Sequence, residues 1–280
     1  MGLIETLDNA ENRLLRERSL EAARVFDSAV LPIYTLEVPG RNAQVKPGGT
    51  CLLLSIDGHS ILSTAAHVLD AHANGKEVYV GGTNGLVPMK DGKNWKTIAP
   101  RGDRTLDHLD CGFWDIPGDA VSALGNVDFI DSSKLSPNRA PTDRRYYYAT
   151  GYRFSRNKKL IANGPRTITP ARSGYSGTVS ANPALASAMS ISGSEHLFLN
   201  FGKDVSDEAG NPANAFDPVG FSGGPLLDLG DFTDVDAYSS GTLWRPTLSG
   251  MLIEHKPTFN AMVAVRIEWV VEWIRRTIRA

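Results

Sequence analysis

Cysteine is scarce: Cys51 and Cys111 are the only two in 280 residues. That excludes a disulfide-stapled secreted scaffold, which needs several pairs. Two lone cysteines read as small buried hydrophobes. Long apolar runs are missing as well. No stretch approaches the ~20 consecutive apolar residues of a membrane-spanning helix. A signal-peptide core is also lacking, because Glu5, Asp8, Glu11, Arg13, Arg16, Glu17 and Arg18 break every apolar run near the N-terminus. With Met1 as the start, the expectation is a cytoplasmic protein with no membrane partner. Charge of one sign is not in excess either: 29 Lys and Arg against 31 Asp and Glu leave a net charge of −2. Such a balance gives no global attraction for polyanions, so no nucleic-acid partner is expected. What is present suits a packed core: 41% of residues are hydrophobic and 21% charged, which excludes disorder as the dominant state. The length fits one all-β domain with an appendage as well as it fits two smaller domains.

Residues 3–27 place Leu3, Leu7, Ala10, Leu14, Leu15, Ala22 and Phe26 near helical spacing with charged residues between them. The pattern predicts an amphipathic helix within an N-terminal extension, residues 1–30. It either packs on its own domain or offers a docking site to a regulatory partner. After Pro32 the pattern changes to short β-rich runs broken by Gly, Pro, Asn and Asp. Residues 51–56 and 59–64 flank Asp57-Gly58, the pair that a type I′ hairpin turn prefers. Further strands are predicted at 76–80, 111–116, 146–152, 196–201, 225–229, 248–253 and 261–265. No helices are expected between them, which argues for an antiparallel barrel or sandwich and against a doubly wound α/β sheet. The chain closes on a helix at 266–279, with Ile267, Val270, Val271, Ile274 and Ile278 on one face.

The most informative stretch is Gly220-Phe221-Ser222-Gly223-Gly224-Pro225. A serine among glycines sits on a tight turn where backbone approaches a substrate closely. Two amides converging there can stabilise the oxyanion of an acyl transfer. A serine hydroxyl is a poor nucleophile at neutral pH and needs a base. His67, in Ser63-Thr64-Ala65-Ala66-His67-Val68, lies just past the second strand of the Asp-Gly hairpin. His59, His72, His108, His196 and His255 have no comparable setting. A third group must orient the imidazole. Asp110 stands immediately before the apolar run that starts at Cys111; Asp107, followed by polar residues, is its rival.

Taken together, Thr64-Ala65-Ala66-His67, Asp110-Cys111-Gly112-Phe113, Gly220-Phe221-Ser222-Gly223-Gly224-Pro225 and Ser249-Gly250-Met251-Leu252-Ile253 resemble the trypsin/chymotrypsin-like serine proteases. They occur in that family's order, and Glu272 to Ile278 is similar to its C-terminal helix. The resemblance implies an all-β fold of two packed six-stranded antiparallel β-barrels, with an N-terminal and a C-terminal helix. The protease domain would span 31–280, with the first barrel at about 31–135, the second at about 140–265 and the helix at 266–279. It implies a serine endopeptidase acting on protein or peptide substrates, with no cofactor and no metal. Ser222 would be the nucleophile, His67 the base and Asp110 its orienting acid; the amides of Gly220 and Ser222 would form the oxyanion hole. Phe216 or Asp217 would lie at the base of the primary pocket, and Ile253, Glu254 and His255 would pair with the substrate backbone. Phe221 replaces the aspartate that zymogen-activated members carry before the nucleophile, and Val68 replaces the cysteine that animal members carry after the histidine. Both departures imply a bacterial-type, intracellular member.

Two other functions fit parts of the sequence. A protease fold can persist as a catalytically silent binding module. An α/β-hydrolase esterase also carries G-x-S-x-G, although only His255 follows the serine and βα alternation is absent. Asp228, Asp231, Asp234 and Asp236 read as a solvated acidic loop, lacking the glycine and terminal glutamate of an EF-hand. Arg144, Arg145 and Tyr146 to Tyr148, with Arg153, Arg156, Lys158 and Lys159 beyond, read as a strand ending in a basic surface loop.

Overall fold

A computed structural model describes residues 7–37, 44–73, 76–90, 93–136, 144–157, 170–180, 182–206, 211–232 and 244–280. Asp57 (φ +50°) and Gly58 (φ +87°) turn the chain between β2 (Gln44–Ile56) and β3 (His59–Ala65). Two consecutive left-handed residues are what a two-residue hairpin turn demands. To this hairpin are added β1 (Val30–Glu37), β4 (Glu77–Gly82), β5 (Gly85–Pro88), β6 (Lys93–Lys96) and β7 (Cys111–Asp115). They form one antiparallel sheet of seven strands in the order β5-β4-β1-β2-β3-β7-β6, one strand more than the resemblance implies.

The second sheet takes β8 (Arg145–Gly151), β9 (Ser173–Thr178) and β10 (His196–Asn200). A small ribbon of β11 (Asp204–Ser206) and β12 (Pro212–Asn214) follows, and then β13 (Pro225–Asp231), β14 (Thr247–Lys256) and β15 (Ala261–Arg266). The order is β10-β15-β14-β13-β8-β9, and a Val179–Leu199 bridge joins the two edges. The result is two curled antiparallel sheets of the chymotrypsin-like double-barrel type. Leu52, Leu53, Leu54, Ile61, Leu62, Phe113 and Trp114 fill the first, and Ala149, Leu199, Leu226 and Ala264 the second, all essentially inaccessible.

Helix α1 (Leu7–Val25) packs against β8 and β13 of the second sheet. Its buried face includes Ala22 and, against its charge, Arg18, and Phe26 just past its end is buried as well. Arg18 donates Nη1–H to Leu229 O at 2.6 Å and lies 4.9 Å from the Phe232 ring centre and 5.0 Å from that of Trp244. The helix therefore uses its apolar face on its own domain. Three short helices interrupt the stretch expected to lack them: α2 (Ala66–Ala73), α3 (Gly118–Leu124) and α4 (Pro183–Ala188). None is long enough to display a 3.6-residue period in the sequence. Helix α5 (Ile267–Arg279) buries Ile267, Val270, Val271 and Ile274 as anticipated. No helix among the described residues is long and apolar enough to cross a membrane.

Candidate active site

Strand pairing brings the first two site residues together. β3 pairs with β7 through Ala65 and Cys111, so the residues just beyond, His67 at the start of α2 and Asp110 ahead of β7, become neighbours. Asp110 Oδ2 lies 2.5 Å from His67 Nδ1, and Asp110 Oδ1 accepts from the His67 backbone N–H at 2.9 Å. Asp110 holds a left-handed backbone (φ +41°), uncommon away from glycine. Its own carbonyl accepts from Ala66 N at 2.8 Å, and its N–H donates to Asp107 Oδ1 at 3.1 Å. Asp107 is thus the buttress of Asp110 and not its substitute: its other oxygen takes Arg104 Nη1 at 2.5 Å and the Thr97 hydroxyl. Burial alone would lower the His67 pKa. The Asp110 hydrogen bond and charge, with help from Asp70 and Glu254, outweigh it and hold the imidazole above its ordinary value. Burial raises the Asp110 carboxyl above the usual carboxylate range, with the His67 bond working against it.

Ser222 reaches the same cleft from the second sheet, on the turn leading into β13. Gly220 (φ +103°) and Gly223 (φ +86°) give that turn its shape. The Ser222 hydroxyl donates to Ile253 O at 3.4 Å, and no hydrogen bond joins it to the His67 ring. Among the described residues, no acceptor takes the Gly220 or Ser222 amide. Both are free to serve a ligand.

A cavity of about 300 Å³ opens here, lined by His67 and Ser222 together with Pro218, Leu252, His255 and Met262. Glu254 also lines it. Neither Phe216 nor Asp217 stands on its wall. Phe216 packs 5.3 Å from Phe221 and 5.9 Å from Phe201, ring centre to centre, with the Arg153 guanidinium 4.3 Å over its face. Asp217 Oδ1 turns back to accept from Val219 N at 3.2 Å. Ile253 sits at a bulge between Leu252 and Glu254. Beyond it, among the described residues, β14 pairs with β15 on one side only, since its contact with β13 ends at Met251. The open edge at Glu254 and His255 is a template for an added strand. Burial lowers the His255 pKa, against the pull of Asp217 and Glu254.

The other singled-out residues serve the fold. Burial raises both cysteine thiols, Cys111 well above its ordinary value, so neither is a ready nucleophile. Asp228 does not lie in a solvated loop: it is buried in β13 and accepts from Arg145 Nε at 2.9 and 2.8 Å, as an ion-pair partner. Tyr146 donates to Glu11 of α1 at 2.7 Å, which ties the basic, aromatic stretch to the helix. Asp234, Asp236, Lys158 and Lys159 lie outside the described residues. His196 is buried, its two ring nitrogens each 2.7 Å from a backbone oxygen, of Ser192 and of His108. Two participants carried no signal in the sequence: Thr50 and Phe154, both bonded to the Ser222 turn.

The fold is that of the chymotrypsin-like double barrel. Among solved structures it aligns with the serine endoprotease from Yersinia pestis, at 16% identity and a TM-score of 0.52 over 93% of this chain and 66% of that one. It aligns equally with the HtrA-type protease AlgW with decapeptide, at 14% identity and a TM-score of 0.52 over 93% of this chain and 67% of that one. The chain thus spans about two thirds of the length of these neighbours. No family model matches it, and no curated protein matches it.

Proposed function

We propose that this chain is a serine endopeptidase that cleaves protein or peptide substrates through an acyl-enzyme. The observation that carries the reading is the double hydrogen bond between His67 and Asp110, facing a cleft that Ser222 and two unengaged amides share. Ser222 Oγ attacks the substrate carbonyl carbon while His67 Nε2 takes its proton. The carbonyl oxygen, now an oxyanion, accepts from Gly220 N and Ser222 N, each such donor being worth ~10²–10³ in rate. His67 then delivers the proton to the departing amine as the C–N bond breaks. Water, activated by the same imidazole, hydrolyses the ester. Asp110 holds the proton on Nδ1, so that Nε2 is the basic nitrogen. The open edge of β14 would hold the substrate as an added strand.

One observation favours a second reading, a silent protease fold: the Ser222 hydroxyl points to Ile253 O. At 3.4 Å that bond is weak. A rotation of the side chain releases the hydroxyl, and catalytic bonds often tighten only when substrate arrives.

The test is labelling with a fluorophosphonate probe, alongside hydrolysis of a mixed peptide library. Wild type should label and cleave, while Ser222→Ala and His67→Ala should do neither. A folded wild type that neither labels nor cleaves would sink the proposal in favour of the silent fold. Labelling that survives in His67→Ala would point to another base.

A further inference from the structure

A peptide N–H points opposite to the C=O of the same plane. Whatever holds the carbonyls of the Ser222 turn therefore aims its amides. Val219 O accepts from Phe154 N at 3.0 Å, which directs the Gly220 N–H the other way. Phe221 O accepts from Gly224 N at 2.7 Å, which does the same for the Ser222 N–H. The two remaining carbonyls belong to the alternate planes, which carry the Phe221 and Gly223 amides and flank that of Ser222, and both go to a single residue. Gly220 O accepts from Thr50 Oγ1 at 2.7 Å, and Ser222 O accepts from Thr50 N at 2.9 Å.

Thr50 belongs to β2 of the first sheet and is fully buried, whereas the turn belongs to the second sheet. Its hydroxyl also accepts from Tyr152 N at 3.0 Å, next to the segment whose Phe154 holds Val219 O. Its carbonyl accepts from Thr64 Oγ1 at 2.7 Å, on the strand that leads into His67. One small side chain thus uses its O–H and a lone pair at once, as only a hydroxyl residue of this size can. The packing leaves no slack: a Cβ on Gly151 would come within 2.9 Å of Thr50 Oγ1, and one on Gly223 would run into Thr50 O.

We propose that Thr50 is a positioning residue for acyl transfer, a clamp between the two sheets that holds the oxyanion-binding amides in place through the carbonyls of Gly220 and Ser222. The inference rests on the serine endopeptidase reading above. Thr50 touches neither substrate nor the reacting atoms; it acts through the turn. Removing its hydroxyl frees the Gly220–Phe221 peptide plane, which links the two planes that carry the Gly220 and Ser222 amides, so the two donors lose their fixed mutual aim and the transition state is weakened more than the ground state.

The experiment compares wild type, Thr50→Val and Thr50→Ser. Thr50→Val keeps the shape and the backbone amide but loses the hydroxyl. It should lower kcat ~10–100-fold with KM nearly unchanged, somewhat less than deleting an oxyanion donor outright. Two inhibitors supply a readout that a merely structural role would not move. A peptidyl trifluoromethyl ketone forms a hemiketal oxyanion on Ser222, and the matching peptidyl alcohol cannot. The ketone should weaken by the same factor as kcat/KM, while the alcohol binds as in wild type. Thr50→Ser, which restores the hydroxyl, should recover both. The proposal is overturned if Thr50→Val keeps wild-type kcat and ketone affinity, or if ketone and alcohol weaken alike. If Thr50→Val does not fold, Thr50→Ser carries the test: loss of ketone affinity there, with the hydroxyl present, overturns it. A wild type that neither turns over peptides nor takes the fluorophosphonate overturns instead the reading on which the inference rests.

Discussion

His67 and Asp110 meet twice, ring to carboxylate at 2.5 Å and backbone N–H to carboxylate at 2.9 Å, so both oxygens of Asp110 face donors on one residue. The backbone bond fixes the start of α2 against the loop, and the ring bond fixes the imidazole within it. Neither could be made by Asp107, whose oxygens already hold Asp110 N, Arg104 and Thr97. The acid is therefore built in two layers, and the outer one keeps the left-handed backbone of the inner one in place.

Asp110→Asn tests the pairing because an amide has one acceptor where two are needed. With its oxygen toward the ring, the NH₂ opposes the His67 backbone N–H. With its oxygen toward the backbone, the NH₂ donates to Nδ1 and forces the proton onto Nε2, where the ring can no longer accept from Ser222. The second arrangement keeps both hydrogen bonds and is favoured. The expected result is a fall in kcat/KM of ~10³–10⁴ with the fold retained. Steady-state kinetics on a fluorogenic peptide, paired with circular dichroism, checks it; a fall below tenfold would be incompatible with this role for Asp110.

The pH profile follows from the direction of the His67 shift. The free base is the active form, and the imidazole is held above its ordinary value. Activity is therefore lost as pH falls through a midpoint above ~6.5, the value of an unperturbed histidine. In Asp110→Asn the charge that raises it is gone and burial remains, so the residual activity should titrate at lower pH than in wild type. Measuring kcat/KM from pH 5 to 9 in both proteins reads the two midpoints; an unshifted or upward-shifted midpoint in the variant contradicts the argument.

The parts that were legible in the sequence are those whose chemistry is local. Ser222 sits among glycines, His67 follows a hairpin marked by Asp57-Gly58, and Asp110 precedes an apolar strand; each motif is readable in a window of a few residues. The parts that were not legible depend on approach across the fold. Thr50 lies 170 residues from Gly220 along the chain, and nothing around it announces a hydroxyl clamp. Arg18 reads as part of a solvated helix face until Leu229 O, Phe232 and Trp244 close over it. Strand β9 is too rich in serine and glycine to show a strand pattern, and pairing with β8 along its whole length makes it one. Counting back from Ser222 left Phe216 and Asp217 as rivals for the pocket, and counting could not show that neither stands on its wall.

The glycines differ in what they tolerate. Gly223 has φ +86°, and a side chain there would run into Thr50 O and Thr64 Oγ1 at the junction of the two sheets. Gly58 has φ +87°, nearly the same backbone, yet a Cβ would meet nothing within 4 Å. Gly58→Ala should cost only the left-handed strain, ~1–2 kcal/mol. Gly223→Ala adds a collision with backbone that cannot be relieved by a side-chain rotation, and should cost ~3 kcal/mol or more. Urea unfolding midpoints of the two variants separate the contributions; equal losses would mean that the turn moves freely between the sheets.

On the endopeptidase reading, the cleft wall beside Ser222 selects the side chain next to the attacked carbonyl. Pro218, Leu252 and Met262 present apolar surface, and Glu254 is the carboxylate among the lining residues. Asp217 is turned to Val219 N, and Glu254 pairs with Lys256 at 2.6 Å. Burial holds His255 below its ordinary pKa, so at neutral pH it presents an uncharged ring. A lysine or arginine in this cavity would bury a charge beside a carboxylate already paired with Lys256, whereas valine, leucine or methionine would bury only methylenes. Substrates with those aliphatic residues should therefore be cleaved more efficiently than matched basic ones by ~10²-fold or more, because the basic ones bury a charge. Met262→Asp places a carboxylate on the wall and should narrow or reverse that ratio. Matched fluorogenic peptides differing at one residue measure both effects, and a wild-type preference for arginine would mean that Asp217 swings into the cleft when substrate binds.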